Sequence, residues 1–182
     1  MIVFICGETE TGKSTLNTAI ALALLRQDPR LRMVAVRPEG CEDISTRGSA
    51  GRIALFQSHV EALDYIFKHE LINLVVSFSE VQDICGYRAE HFDQRMQKVI
   101  FRGRHSGVNL IADSQRAAEV KTALLSQAGG RIFSFRQTLE ADVKRLEWYG
   151  RGASVLDVIP SLPNHVFFSF MHRRIYRLTR RT

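Results

Sequence analysis

One eight-residue stretch constrains this chain more than any other. Residues 7–14 read GETETGKS, a residue-for-residue match to the GxxxxGK[ST] pattern. A match this short also arises by chance, so its flanks decide. Residues 2–6, IVFIC, are apolar and partly β-branched throughout, as a buried parallel strand requires. Residues 14–27 are rich in Ala and Leu, place Leu16, Ile20, Ala23 and Leu24 on one helical face, and are ended by Asp28 and Pro29. A strand that feeds a glycine loop that opens a helix is a phosphate cradle: successive backbone N–H groups and the helix N-terminus face the anion. Gly7, Glu8, Thr9, Glu10, Thr11 and Gly12 form the cradle, with Gly12 permitting close backbone approach. Lys13 would reach the β and γ phosphates of a nucleotide, the Ser14 hydroxyl would ligate Mg²⁺, and Thr15 beside it is a secondary contact. The competing reading is a glycine turn that binds nothing. Glu8 and Glu10 put two carboxylates into an anion-binding loop, so they are expected to point to solvent or toward a neighbouring subunit. Many such loops carry glycine where Glu10 stands, which predicts modest nucleotide affinity.

The rest of the chain alternates in the same way. Strands are expected at residues 33–36 (closed by Pro38), 71–78, 108–112 and 131–135, each apolar along its length. A polar loop is expected at residues 41–51. Helices are expected at 53–70, with Phe56, Val60, Leu63 and Phe67 on one side, and at 90–102, 117–127 and 138–149. Gly129 and Gly130 stop the third of these, and Thr138 is a fair N-cap for the last. Two short strands at 165–170 and 173–178, paired with each other, end the pattern. Strands alternating with helices predict an α/β fold: one domain over residues 1–182, in three layers, with a mostly parallel sheet covered on both faces.

A nucleotide hydrolase needs an acid that holds Mg²⁺ through water and a carboxylate that polarises the attacking water, both after a hydrophobic strand. The candidate is LVVSFSE, residues 74–80. Glu80 falls where the catalytic carboxylate belongs. Ser79 falls where the Mg²⁺-linked aspartate usually stands; a hydroxyl can bind a metal-bound water, but without charge. Asp83 is a substitute at the wrong spacing. A second polar strand tip follows in GRHSGVNLIADSQR, where Gln115 would sit beside the γ phosphate and sense it or orient water.

At this point the sequence resembles a family. GETETGKS, the LVVSFSE strand, the GRHSGVNLIADSQR segment and the stretch ALLSQAGGRIFSFRQTLEADVKRL are together similar to the HerA/FtsK branch of P-loop motor ATPases. The likeness is greatest to the small genome-packaging ATPases of membrane-containing, double-jelly-roll viruses. The resemblance covers nearly the whole chain and departs most clearly at Ser79. It implies a RecA/ASCE-like P-loop NTPase fold and ATP hydrolysis with Mg²⁺. It also implies a homo-oligomeric ring, typically a hexamer, that pumps double-stranded DNA and meets capsid or viral membrane proteins. ATP would lie between subunits, with an arginine from the neighbour stabilising charge on the γ phosphate. Arg104 is the first candidate for that role, with Arg102 and Arg116 in reserve; a surface or phosphate-contacting arginine is the alternative for each. The setting implied is the host cytoplasm or the virion packaging vertex.

Charge and cysteine usage agree with that direction. The chain carries 25 Lys+Arg against 19 Asp+Glu, a net +6, and its last eleven residues hold five arginines and no acid. Without them the chain is close to neutral, so the basic character is local and suggests a sequence-independent, salt-sensitive contact with a polyanion. A solubilising tail is the plainer alternative. Trp148 and Tyr149 read as core or interface packing rather than a base-stacking platform, and His105 as a loop histidine that touches phosphate at most. Three dispersed cysteines without a CxxC pair argue against a disulfide framework and a zinc site and for a reducing compartment. No secretory signal and no apolar stretch of membrane-spanning length is seen. Two other functions remain in view. A small-molecule, nucleoside-type kinase shares the loop, size and sheet but needs an Arg-rich lid. A slow nucleotide-dependent switch or assembly factor would suit Ser79 and the acidic loop.

Overall fold

A computed structural model of the chain describes residues 1–36, 51–86, 92–150 and 155–179. Its elements in order are β1 (Ile2–Cys6), α1 (Lys13–Gln27), β2 (Arg32–Val36), β3 (Ile53–Phe56), α2 (His59–Lys68), β4 (Leu74–Phe78) and α3 (Gln82–Cys85). They continue with α4 (Gln94–Arg102), β5 (Asn109–Ser114), α5 (Thr122–Ala128), β6 (Ile132–Ser134), α6 (Glu140–Gly150), α7 (Val155–Val158), β7 (Val166–Ser169) and β8 (Arg174–Arg177). They build one eight-stranded sheet in the order β3-β2-β4-β5-β1-β6-β7-β8. The six strands from β3 to β6 are parallel; β7 is antiparallel to β6, and β8 to β7.

The apolar runs explain the layers. Side chains alternate across a strand, so a strand apolar at every position must be covered on both faces. In β1, Ile2, Phe4 and Cys6 join one core, with Leu63, Met96, Leu124 and Leu146 from the helices. Val3 and Ile5 point the other way, into a second core with Leu16, Ala21 and Leu25 of α1. All five residues of β1 and of β4 are buried. The α/β, three-layer, mostly parallel architecture expected from the alternation is the one observed.

Several details differ from the expectation. Residues 53–56 are not the start of a helix but β3, an edge strand that pairs with β2 from Met33↔Ile53 to Val36↔Phe56. The helix begins only after Ser58, whose side chain accepts a hydrogen bond from the Val60 amide. The turned register moves the buried face to Ala62, Leu63 and Ile66 and leaves Val60 and Phe67 exposed. In α1 the buried apolar positions are Leu16, Ala21 and Leu25, while Ala23 faces solvent. The expected 117–127 helix is a 3₁₀ turn at Ala117–Glu119 followed by α5, which stops at Gly129 in the left-handed region as anticipated. Trp148 is exposed, whereas Tyr149 packs against the core. The two C-terminal strands do pair, from Val166↔Arg177 to Ser169↔Arg174. Pro38, most of the 41–51 loop, Cys41, the first residues of the expected 90–102 helix, Arg180 and Arg181 lie outside the described residues.

Candidate functional site

Three parallel strands deliver the polar residues to one place. In this topology the carboxyl ends of β1, β4 and β5 lie side by side, and the crevice beyond such ends is where open α/β sheets hold ligands. Register fixes the neighbours: β1 pairs with β5 up to Cys6↔Ser114, and β4 with β5 up to Phe78↔Ala112. The residues next in line are Gly7 beside Gln115, and Ser79 beside Asp113.

The loop from Gly7 to Gly12 curls over the end of β1. Gly7 and Gly12 have φ of 156° and 107°, and Gly12 sits in the left-handed region at the N-terminus of α1. A Cβ on Gly7 would lie 2.5 Å from Cβ of Phe135, so only glycine fits there. Thr11 is buried and its Oγ1 donates to the Glu8 carbonyl at 2.7 Å. The Lys13 ammonium is buried and donates to the same carbonyl at 2.8 Å. Ser14 is half-buried, Thr9, Glu10 and Thr15 are exposed, and Glu10 holds the left-handed φ of 61°.

Glu8 corrects the expectation for the acidic loop. Its carboxylate is bound within the chain: Oε2 accepts from Arg136 Nε at 2.9 Å, and Oε1 accepts from the backbone N–H and hydroxyl of Thr138. Partial burial works against the charge, but the Thr138 and Arg136 bonds outweigh it and hold Glu8 below the usual carboxylate range. Its negative charge is therefore matched inside the chain. Thr138, expected to cap α6, spends its hydroxyl on Glu8 instead.

Glu80 closes the β4 strand end with φ 53°, a left-handed backbone that costs a non-glycine residue of the order of 1 kcal/mol or more and concentrates at functional sites. Its carboxylate accepts from Gln115 Nε2 at 2.9 Å and from the Gln82 amide. Gln115 in turn accepts from Thr9 Oγ1 at 3.3 Å, and its main-chain carbonyl accepts from Gln137 Nε2 at 3.1 Å. Gln115 thus bridges Glu80 to the phosphate loop. His59, buried at the start of α2, donates Nε2–H to the Ser79 carbonyl at 2.7 Å and so fixes the turn from the far side.

Asp113 was not among the expected residues. It lies 1% exposed on β5, and its Oδ2 accepts from Asn17 Nδ2 at 2.8 Å and Ser79 Oγ at 3.2 Å, while Oδ1 accepts from the Glu80 amide at 3.2 Å. Asn17 also accepts from Ser77 Oγ at 2.7 Å. Burial pushes the Asp113 carboxyl up, against the opposing pull of Asn17, the Glu80 N–H and the Lys13 charge. Its trace in the sequence is an aspartate within LIADS, two residues before a polar tip, whose role emerges only once register sets it beside Ser79. Asp83, the substitute weighed from spacing, is exposed on α3.

The arginines divide. Arg116 is committed within the chain, donating from Nε to the fully buried Asp142 at 2.7 Å and lying 3.4 Å from Glu119. Arg102 and Arg104 are exposed and precede β5, with Arg104 beside the Met1 amino group at the start of β1. Gln115 follows the far end of β5. Six strand steps at about 3.3 Å put these ends roughly 20 Å apart, so Arg104 is remote from the loop of its own chain. His105 is exposed in the same turn.

No family model and no curated protein matches the sequence. The fold is similar to solved structures at low identity. The genome packaging NTPase B204 of Sulfolobus turreted icosahedral virus 2, in complex with ATP-gammaS, superposes with a TM-score of 0.73 at 16% identity, over 98% of this chain and 96% of that one. The pCW3 conjugation coupling protein TcpA, with ATPgS, gives 0.60 at 18% identity over 91% of this chain and 56% of that one. Thermomonospora curvata EccC, ATPases 2 and 3 with a signal sequence peptide, gives 0.67 at 14% identity over 100% of this chain and 37% of that one. The P-loop ATPase fold implied by the motifs is the fold of this chain, and the resemblance to the packaging ATPases extends along almost its whole length.

Proposed function

We propose that this protein hydrolyses ATP and couples turnover to the movement of double-stranded DNA. In this reading it works as a homo-oligomeric ring, and its task is to package a viral genome into a preformed capsid. The observation that carries the reading is the Gln115 bridge, which ties Glu80 to Thr9 of the phosphate loop across two strands. A side chain so placed links the state of the loop to the carboxylate that would act on water.

The residues fit a nucleotide and its Mg²⁺. A buried Lys13, a glycine-opened loop and the N-terminus of the fifteen-residue α1 suit phosphate oxygens. Ser14, Ser79 and Asp113 offer hard oxygen atoms, the kind Mg²⁺ takes, and such sites normally rely on one or two carboxylates plus the phosphates themselves. When bound, Mg²⁺ would neutralise charge on the β and γ phosphate oxygens. Lys13 and the loop amides would bind and orient the phosphates, and the Ser14 hydroxyl would be a ligand for the metal. Glu80 leaves its amide partners to orient the attacking water and take its proton. Gln115, released by the same change, reaches toward the γ phosphate. The carboxylate of Glu8, already neutralised by Arg136 and Thr138, does not oppose the anion.

Arg104, remote from its own cradle, suits the site of a neighbour in a ring. The exposed β8 strand carries Arg174 and Arg177 on a hairpin beside β6 and gives the basic end of the chain a rigid mount for DNA phosphates. That segment forms part of the sheet and not a helical lid, which favours hydrolysis over the kinase reading. The B204 and TcpA likenesses support a packaging or translocation task. Among the described residues no helix is long and apolar enough to cross a membrane; the host cytoplasm or the packaging vertex is the setting proposed.

The test is steady-state ATP hydrolysis by the wild-type protein and Glu80→Gln. Loss of a water-activating carboxylate typically costs about 10² to 10⁴ in rate. The variant should lose at least about 100-fold in kcat and still bind ATP with near wild-type affinity. Turnover indifferent to the substitution would overturn the assignment of Glu80.

A further inference from the structure

The acid usually found beside the catalytic carboxylate just past β4 is replaced here by Ser79. Ser79 and Asp113 are cross-strand neighbours, since β4 and β5 run parallel with Phe78↔Ala112 as the last register pair. Both face α1: Val75 and Ile111 of the same strand faces pack in the α1 core, and Ser77, Ser79 and Asp113 continue those rows at period two. The Ser79 hydroxyl donates to Asp113 Oδ2 at 3.2 Å. Asn17, which donates to the same oxygen at 2.8 Å, lies one helical turn after Ser14 and Lys13 on the same face of α1. The Asp113 carboxylate is therefore held against the part of α1 that carries the Mg²⁺-facing hydroxyl and the phosphate-binding ammonium.

We infer that Asp113 supplies the negative charge to the water shell of Mg²⁺ that a β4 aspartate would otherwise supply, with Ser79 as its hydrogen-bonded partner. The charge has moved by one strand, about 4.8 Å, and stays on the same face. This inference rests on the nucleotide-hydrolysing reading above. Asn17 holds the carboxylate from α1, and the Glu80 amide couples it to the catalytic turn. A charged acceptor in this place explains how a strand lacking its aspartate can still serve a metal-dependent site. The asparagine of α1 and the serines of β4 then form one network whose common element is Asp113.

The experiment is the affinity of full-length protein for a fluorescent ATP analogue, titrated with Mg²⁺ and repeated in EDTA, for three proteins. Wild type should bind more tightly with Mg²⁺ than without. Asp113→Asn keeps the size and loses the charge, and outer-shell substitutions typically cost about 10- to 100-fold in metal affinity. Its Mg²⁺ enhancement should fall by at least about tenfold, with its EDTA affinity within about threefold of wild type. The exchange Ser79→Asp/Asp113→Ser returns the charge to β4 and should keep the enhancement within about threefold of wild type. Full Mg²⁺ enhancement in Asp113→Asn would overturn the inference. If that variant does not fold, the exchange protein decides alone: a folded, nucleotide-binding exchange protein without Mg²⁺ enhancement overturns it. Failure of wild type to bind the analogue under either condition would instead bring down the nucleotide reading itself, and this inference with it.

Discussion

Glu8 shows how a residue that looks wrong for its motif can be right for its place. An acid in a phosphate loop should repel the ligand, but Arg136 and Thr138 hold this one and balance its charge. The bonds have a pH signature. Glu8 ionises below its ordinary 4.5 in the folded chain, so it binds a proton less readily than in the unfolded chain. Its contribution to stability is full above that value and is lost as the pH falls through and below it. Melting curves between pH 6 and pH 3 should show this loss in the wild type, and Glu8→Gln should show a shallower acid decline. Gln115 is the counterpart on the opposite side of the cradle: a neutral amide that joins the loop to the Glu80 carboxylate.

Among the elements, α2 starts later than its apolar spacing predicts, for a physical reason. Residues 53–70 carry apolar side chains at helical spacing, but residues 53–56 find an open edge of the sheet beside β2, and backbone pairing wins over helix periodicity there. Ser58 marks the true start. Replacing it with Ala removes the hydrogen bond to the Val60 amide and should cost about 1 kcal/mol, read as a lower denaturation midpoint in urea with unchanged m-value. The elements that carry the site were far more legible. β1 and β4 are apolar at nearly every position and β5 is apolar through Leu110, Ile111 and Ala112, so burial on both faces was readable from these runs, and their alternation with helices pointed to parallel pairing. GETETGKS, Glu80 and Gln115 sit at the strand ends that this pairing brings together. Asp113, Asn17 and His59 were not legible as site residues, because a polar residue within an apolar run reveals its role only when register places it beside another strand. The Glu8–Arg136 pair spans 128 residues and likewise has no local trace.

For the whole molecule the central question is whether one chain is a complete site. Arg104 and the cradle occupy opposite ends of one sheet, so a closed head-to-tail ring could bring the arginine of one subunit to the loop of the next. Arg104→Ala should therefore abolish most hydrolysis, a loss of about 10³-fold on the scale of trans-acting arginines, without weakening nucleotide binding. Mixing it with Lys13→Ala subunits should restore part of the activity, because some interfaces then pair an intact loop with an intact arginine. In the proposed function the basic β8 hairpin meets duplex phosphates, an effect that should fade as salt rises. For the proposed motor function the most direct measurement is steady-state ATP hydrolysis by the wild-type protein with and without double-stranded DNA at low and moderate salt. The account predicts that duplex DNA stimulates turnover and that salt erodes the stimulation. Robust hydrolysis that duplex DNA leaves unchanged at either salt concentration would contradict it.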